Sequence, residues 1–418
     1  MPDWLITGCS QLLTLRGSVP RRGRALHDLG IIHDGALLVR DDRIIAVGPR
    51  RRIERMQEAR RAEKLDLRGR VLLPGFVDSH THLIFPESRA DEYEQRISGK
   101  TYEQIARAGG GIRVTVTALR RTSTKTLFEH AAMYLREFAA HGTTTVEAKS
   151  GYGLDWKSEL KILTVLRQLH QDQAIDVLQT FLGAHVVPPE FRKRPNAFVD
   201  LLVKAWIPAV AMAGLAEFCD VFCDRGAFTL AQARRILAAG RACGLVPRIH
   251  AEQLSHTGAA RLAIEMQAAS ADHLDWVDRA DIRALSASNV ACTLLPGCSF
   301  HLGAPHYAPA RALIDAGAII ALATDFNPGT SPTVSMPIIL SLACAQMRMT
   351  PAEAIAAATI NPAYSLRQHA RVGSLEVGKY ADLAAFDVAD YREIPYYFGV
   401  NLCTMTMKRG SVIHSEKL

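Results

Sequence analysis

The length, composition and charge of the chain are those of a soluble enzyme with one large and one smaller domain. It has 418 residues, of which 48% are hydrophobic and 22% are charged, and a net charge of +7. There is no apolar stretch of membrane-spanning length and no secretory signal, and eight cysteines in a chain of this length do not form a disulfide framework, so we expect a cytoplasmic protein with reduced thiols.

Much of the positive charge lies in arginine clusters. They lack interleaved aromatic residues and any recognisable nucleic-acid module, so we interpret them as solvated surface and expect neither a nucleic acid nor a membrane as partner. A mild positive field also suits a small anionic substrate. The clusters are Arg21, Arg22 and Arg24, then Arg50, Arg51 and Arg52, then Arg60 and Arg61.

The N-terminal part of the chain predicts short strands. The apolar runs Trp4–Thr7 and 12–15 favour extended structure, and the paired segments 35–40 and 43–48 predict a hairpin. The charged segment 54–64 predicts a helix.

From residue 71 onward, apolar strands alternate with helix-like stretches, which is the pattern of βα units. Eight units over about 300 residues predict a (β/α)8 barrel, whose active site forms at the C-terminal ends of the strands. Polar residues that can bind a ligand follow most strands, but the seventh runs into Pro296-Gly297 and offers none. The predicted strands are 71–77, 143–148, 176–182, 221–223, 246–249, 269–271, 290–295 and 318–323.

The segments after the eighth strand predict a return to the smaller domain. Segment 351–358 predicts a helix, because its proline follows Thr350, a good N-cap. The Gly-punctuated segment 372–387 predicts a strand pair, with 403–413 behind it. We therefore expect a TIM-like barrel with a smaller β-sandwich domain built from both chain ends. The predicted limits are 1–70 and 369–418 for the β-sandwich and 71–368 for the barrel.

The first barrel strand ends in Asp78-Ser79-His80-Thr81-His82. Residues two apart in an extended chain point to the same side, so His80 and His82 project together. His250 and Asp325 follow the fifth and eighth strands, and three imidazoles with one carboxylate suit zinc or iron with a position left for water. Such an ion lowers the pKa of water to about 7. These four residues are our predicted metal site.

Two further residues are placed to move protons. Glu252, two residues past His250, is expected to face the same way as a general base. His273 ends the sixth strand and is expected to orient or protonate a polarised carbonyl. A structural role would explain each of these residues alone equally well, but their joint placement at strand ends favours a catalytic role. A site with two metal ions commonly uses a carboxylated lysine on the fourth strand as the ligand that bridges them. The fourth strand of this chain has no lysine, so we predict one divalent metal per chain, Zn2+ or Fe2+/Fe3+.

Residues next to the predicted metal site are candidates for holding a substrate carboxylate. Asn327 to Thr330 predicts a turn with backbone and side-chain donors. Arg89 could bind in bidentate fashion, and the alternative for it is a surface arginine.

Segments 74–82 and 373–383, together with the strand-end histidines and Asp325, resemble the amidohydrolase superfamily over nearly the whole chain. Further motifs are similar to those of the imidazolonepropionases, which act in histidine degradation. These motifs are 109–112, 149–154, 180–185, 220–223 and 323–333.

The resemblance implies hydrolysis of the cyclic amide C–N bond of 4-imidazolone-5-propanoate to N-formimino-L-glutamate, in a homodimer. It places metal ligands at His80, His82, His250 and Asp325. It places proton transfer at Glu252 and His273, with Asp325 assisting. Substrate contacts fall on Arg89, Tyr152, His185, Gln253, Asn327, Gly329 and Thr330.

The chain departs from the family pattern in three loops. Two are 86–89 and 297–307, and the third is 251–253, where Gln253 stands at a place often taken by an acidic residue. Two other functions fit the same frame. One is a mononuclear deaminase of a heterocyclic amine, which would release ammonia. The other is a non-catalytic interaction scaffold, which would bind no metal.

Overall fold

The structure is a computed structural model that describes residues 3–100, 104–105 and 109–416. Its centre is a sheet of eight parallel strands in which each strand pairs with the next along the chain. The eighth strand returns to the first where Asp325 N donates to His80 O at 3.0 Å and His82 N donates to Phe326 O at 2.8 Å. The predicted barrel is confirmed. Its strands are Phe76–Asp78, Thr143–Lys149, Asp176–Ala184, Phe218–Cys223, Val246–Ala251, Ser270–His273, Ala291–Leu294 and Ile319–Leu322.

Helices between the strands pack around the barrel. The predicted helix 351–358 is observed as Pro351–Ala357, and Thr350 accepts a hydrogen bond from Glu353 N as its N-cap. The α-helices are Arg50–Ile53, Ala90–Ile97, Ile112–Arg121, Thr124–Ala140, Trp156–Asp172, Pro195–Leu201, Ile207–Met212, Leu230–Ala242, Ala259–Glu265, Arg279–Ser286, Pro296–Leu302, Ala310–Ala316, Met336–Met347, Pro351–Ala357, Ile360–Ser365 and Glu393–Tyr396. Short 3₁₀ helices are Gly23–His27, Glu58–Arg60 and Pro189–Phe191, and Leu202–Trp206 is a π-helix.

Two further sheets come from both ends of the chain and form the smaller domain. Their apolar faces share one core, in which Ile6 and Leu37 of one sheet cluster with Leu72 and Met405 of the other, as expected for a β-sandwich. The four-stranded sheet has the order Arg43–Pro49, Gly35–Arg40, Trp4–Thr7 and Glu63–Asp66. The six-stranded sheet has the order Ser411–Ser415, Cys403–Lys408, Leu383–Phe386, Val71–Pro74, Gln11–Leu13 and Ile31–His33.

The predicted strand 71–77 is in fact two strands that belong to different sheets. Val71–Pro74 pairs with Leu383–Phe386 in the six-stranded sheet, and Phe76–Asp78 is the first barrel strand. Gly75 separates them and lies so close to Thr144 that a Cβ would overlap its side chain. Both halves are apolar, so the sequence pattern does not indicate the change of sheet.

Two other segments are less regular than predicted. The predicted helix 54–64 is wrong, because helix Arg50–Ile53 ends before it and strand Glu63–Asp66 begins inside it. Segment 372–387 contains one strand, Leu383–Phe386, preceded by turns.

The expectation that no apolar stretch reaches membrane-spanning length is wrong for one segment. Pro195–Met212 is helical over 18 residues with a mean hydropathy of 1.2. Phe198, Trp206 and Val210 on this segment are buried in the core of the barrel. The length and composition of a helix do not by themselves distinguish a buried core helix from a membrane span.

Candidate active site

The four predicted metal ligands meet at the C-terminal end of the barrel, and all four are buried. His80 and His82 follow the first strand, His250 lies in the fifth, and Asp325 follows the eighth. The Nε2 atoms of His80 and His82 each lie 3.6 Å from Oδ1 of Asp325. The ring centroids of His80 and His250 are 4.5 Å apart. The structure thus brings together side chains from three distant parts of the sequence.

In two of these histidines, one ring nitrogen is hydrogen-bonded and the other has no hydrogen-bond partner among the described residues. His80 Nδ1 lies 2.7 Å from Asp272 Oδ2, and His250 Nδ1 lies 3.1 Å from Asp220 Oδ2. Within the described part of the chain, Nε2 of both rings is buried without a hydrogen-bond partner. Burial lowers the pKa of His80 well below its ordinary value, so the ring is neutral. Neutral imidazoles with an unpaired Nε2 beside a carboxylate fit a divalent cation.

His273 lies beside these ligands, and the seventh strand adds a residue that the sequence did not indicate. The His273 ring centroid is 5.6 Å from that of His80 and 5.4 Å from that of His250. The Cys298 thiol lies within 4.8 Å of possible ligand atoms of His273 and Asp325. The expectation that this strand offers no such group is wrong, because helix Pro296–Leu302 starts directly after it and its first turn carries Cys298 into the site.

The side chain of Glu252 points away from the site. Its φ is +55°, which is left-handed backbone and ends the alternation of the fifth strand. Its Oε2 accepts from Thr257 N at 2.5 Å and its Oε1 accepts from Ala260 N at 3.1 Å. The expectation that Glu252 faces the same way as His250 is therefore wrong.

A cavity of about 790 Å³ opens over the ligands, a size suited to a small substrate. Most of the predicted site residues line it, whereas His80, Glu252 and Gly329 do not. The predicted residues on its wall are His82, Arg89, Tyr152, His185, His250, Gln253, His273, Asp325, Asn327 and Thr330.

Tyr152 and His185 form the wall next to His82. The His185 ring stacks on His82, with 5.1 Å between centroids and 15° between planes, and the Tyr152 ring lies 5.4 Å from His185. Burial lowers the pKa of His185 to about 3, and its Nδ1 lies 3.1 Å from Gly151 O. His185 is thus a neutral imidazole whose Nδ1–H donates to Gly151, which leaves Nε2 as an acceptor.

The loop that carries Tyr152 is held by one buried carboxylate. Glu159 Oε1 accepts from Gly153 N at 2.8 Å and from Leu154 N at 2.9 Å. Its Oε2 accepts from Gly151 N at 2.9 Å. The position of Tyr152 therefore depends on a residue of the following helix, Trp156–Asp172.

Arg89 is fixed by a buried ion pair. Its Nε and Nη2 both donate to Glu92 Oε2, at 3.0 and 2.5 Å. Glu92 Oε1 accepts from Gly111 N at 2.8 Å. On its other side, Arg89 packs against Gly329 so closely that a Cβ there would overlap the guanidinium. Nη1 is the terminal nitrogen that makes no bond to Glu92.

The predicted turn after Asp325 forms, but its hydrogen-bond donors are bonded to acceptors within the same segment. Asn327 Oδ1 accepts from Gly329 N at 2.8 Å and from Thr330 N at 2.7 Å. Asn327 Nδ2 donates to Asp325 O at 2.7 Å. These groups are already paired, so the turn fixes the backbone of Asp325 and does not offer free donors to a carboxylate.

Comparison with known proteins assigns the chain to a family. The model of the amidohydrolase family matches residues 71–413. The chain belongs to the amidohydrolase family. Among its members, the imidazolonepropionase of Geobacillus kaustophilus (strain HTA426) is 48% identical over 413 residues, covering 97% of this chain and 96% of the relative. That of Solibacter usitatus (strain Ellin6076) is 49% identical over 400 residues, covering 96% of each.

A solved structure of this fold, an adenosine deaminase from Xanthomonas campestris with bound zinc, gives a TM-score of 0.70 at 16% identity. The match covers 99% of this chain and 93% of that one. As an amidohydrolase with imidazolonepropionase relatives, the chain is a hydrolase acting on C–N bonds of cyclic amides. The family and the buried ligand cluster support a divalent metal.

Sequence reasoning missed most of a set of charges inside the barrel, here called the interior charge cluster: Glu147, Lys149, Asp220, Arg248 and Asp272. All five are at most 1% exposed. Burial would lower the pKa of Lys149, but Asp220 and Glu147 outweigh burial and raise it, so the ammonium stays charged. The available signal was charge at alternate positions of otherwise uncharged strands, as in Glu147 and Lys149.

Proposed function

We propose that this amidohydrolase opens the ring of 4-imidazolone-5-propanoate, cleaving a cyclic amide C–N bond to give N-formimino-L-glutamate in histidine degradation. The observation that carries the proposal is the cluster of His80, His82, His250 and Asp325, of which the last three line a cavity that a fixed arginine also lines. The imidazolonepropionase relatives cover nearly the whole chain, so this substrate is the first to test.

One divalent ion per chain, zinc or iron, is proposed to be held by His80, His82, His250 and Asp325. When bound, the ion supplies Lewis acidity and lowers the pKa of water to about 7. The unpaired Nε2 atoms of His80 and His250 support this assignment.

The substrate is proposed to bind through its two ends. Arg89 holds the propionate through the N–H groups of Nη1 and Nη2 that do not bond Glu92. Tyr152 and His185 position the ring, and the His185 Nε2 acceptor suits a ring N–H. Gln253 contributes a cavity-facing amide. Asn327 and Thr330 line the wall, and the absence of a side chain at Gly329 leaves space for Arg89.

Proton transfer is proposed to pass through Asp325, with His273 as a hydrogen-bond donor. Asp325 accepts the proton of the attacking water and returns it to the ring nitrogen that leaves. Burial lowers the pKa of His273 well below its ordinary value, so a neutral ring donates to the carbonyl oxygen as negative charge develops there. The proton-transfer role predicted for Glu252 is assigned to Asp325, because both carboxylate oxygens of Glu252 accept hydrogen bonds from backbone amides.

The test uses purified, metal-analysed protein with freshly generated 4-imidazolone-5-propanoate. We expect loss of the imidazolone absorbance, N-formimino-L-glutamate as product, and loss of turnover and of bound metal in His250→Ala. Ammonia release from heterocyclic amines without turnover of the imidazolone would identify a deaminase instead. A chain that binds no metal would favour the scaffold.

The remaining assignments are proposals of the same standing. We propose a cytoplasmic homodimer that engages neither nucleic acid nor membrane, with the β-sandwich formed by 1–74 and 369–418 and the barrel by 75–368. The predicted limit at residue 70 moves to Gly75, because Val71–Pro74 pairs within the smaller domain. Light scattering coupled to size exclusion tests the dimer, and limited proteolysis tests the domain limits.

A further inference from the structure

The interior charge cluster connects two of the proposed metal ligands through one ammonium group. Lys149 Nζ lies 2.9 Å from Asp220 Oδ2 and 3.8 Å from Asp272 Oδ2. Asp220 contacts Nδ1 of His250, and Asp272 contacts Nδ1 of His80. A single charge thus reaches both histidines, each through its own carboxylate.

The two carboxylates differ in how many cations hold them. Asp272 also lies 3.4 Å from Nη2 of Arg248, which donates to Ser79 O at 2.8 Å. Asp220 has Lys149 as its one permanently charged contact among the described residues. Glu147 Oε1, 2.8 Å from Lys149 Nζ, fixes the ammonium from a third side. Removal of Lys149 would leave three buried carboxylates with Arg248 as their cation.

We propose that Lys149 is a positioning residue that sets the affinity of the chain for its divalent ion. It holds Asp220 and Asp272 in place, and these orient the rings of His250 and His80 so that both Nε2 atoms face one point. Without the ammonium the carboxylates repel one another and turn, and the two rings lose the partner that fixes their orientation. This inference rests on the proposed metal site.

A purely structural lysine would stabilise the fold without affecting the ion, and the chain contains a matched example. Lys408 is 4% exposed and also bridges two carboxylates, with Nζ 2.5 Å from Asp382 Oδ2 and 2.7 Å from Asp176 Oδ2. It lies in strand Cys403–Lys408 of the smaller domain and reaches the start of the third barrel strand. Lys408→Met therefore removes an equivalent buried charge from the opposite end of the barrel.

The experiment compares zinc affinity in Lys149→Met and Lys408→Met, after removal of metal, by competition with a chromogenic chelator. We expect zinc affinity to fall about 10- to 100-fold in Lys149→Met, the usual effect of losing a residue that supports a ligand. Lys408→Met should bind zinc as the wild type does. The thermal unfolding midpoint of the metal-free protein should be lower in both variants than in the wild type. This comparison separates loss of stability from loss of zinc affinity.

Two outcomes would overturn the inference: wild-type zinc affinity in Lys149→Met, or an equal loss in Lys408→Met. Should Lys149→Met not fold, Lys149→Gln keeps a hydrogen-bond donor without the charge, and it should lose affinity several-fold. The zinc affinities of the wild type and of His250→Ala are measured in the same experiment. If the wild type binds no zinc, or His250→Ala binds it equally, the proposed metal site fails; if these behave as expected and Lys149→Met is unchanged, only the inference fails.

Discussion

The groups that face the cavity are held by neighbours that do not face it. Arg89 depends on Glu92, and the histidine rings of His80 and His250 depend on Asp272 and Asp220. A side chain fixed in this way loses little conformational freedom when it binds a ligand, so more of its interaction free energy contributes to binding.

Glu92→Gln tests this dependence at a single residue. The replacement keeps the shape of the side chain but removes the charge that receives two bonds from Arg89. We expect the KM for 4-imidazolone-5-propanoate to rise about tenfold, equivalent to about 1.4 kcal/mol, with little change in kcat. Steady-state kinetics measures both. Glu54→Gln is the control, because that carboxylate pairs with Arg50 on an exposed helix. An unchanged KM in Glu92→Gln would mean that Arg89 keeps its place without the ion pair.

At the scale of elements, the loops at the strand ends take their shape from buried carboxylates and amides. Glu159 holds the loop after the second strand, and Asn327 holds the turn after the eighth. Each collects several backbone N–H groups that no regular element pairs. These hydrogen bonds fix the backbone of both loops.

Glu159→Ala would leave three backbone N–H groups of the Tyr152 loop without their acceptor. Each buried unpaired group costs about 1–3 kcal/mol, so we expect a thermal unfolding midpoint lowered by several degrees and a raised KM. Scanning fluorimetry and kinetics measure these effects. The matched variant Glu190→Ala removes an exposed carboxylate paired with Arg120, a contact worth about 0–1 kcal/mol. Equal shifts in the two variants would contradict the role given to Glu159.

At the scale of the whole molecule, the proposed metal site joins the first, fifth and eighth strands of the barrel. A ligand that binds only the folded chain stabilises it by mass action, by about 4 kcal/mol when its concentration is a thousand times its Kd. Removal of metal with a chelator should therefore lower the thermal unfolding midpoint, and added zinc should restore it. His250→Ala should show no such dependence. A midpoint that stays constant after metal loss is verified by elemental analysis would argue against this link.

The sequence predicted the barrel and the residues that gather at its C-terminal end, because apolar strands and the polar residues after them are local patterns. Three features depended on information that such patterns lack. The change of sheet at Gly75 is set by pairing with Leu383–Phe386 at the far end of the chain. The direction of Glu252 follows from one positive φ. Cys298 enters the site because a helix starts without a loop.

The division of one apolar run at Gly75 also bears on the order of events during protein synthesis. Val71–Pro74 leaves the ribosome after one neighbour, Gln11–Leu13, but long before the other, Leu383–Phe386. The strand that leads into His80 and His82 can therefore pair on one side only for most of translation. Asp325 and Phe326, which lock the same histidines to the eighth strand, also arrive late. Of the four proposed ligands, His80 and His82 are synthesised first, His250 follows, and Asp325 comes last. The complete ligand set of the proposed ion therefore forms only in the final stage of folding, after the C-terminal strands have been released.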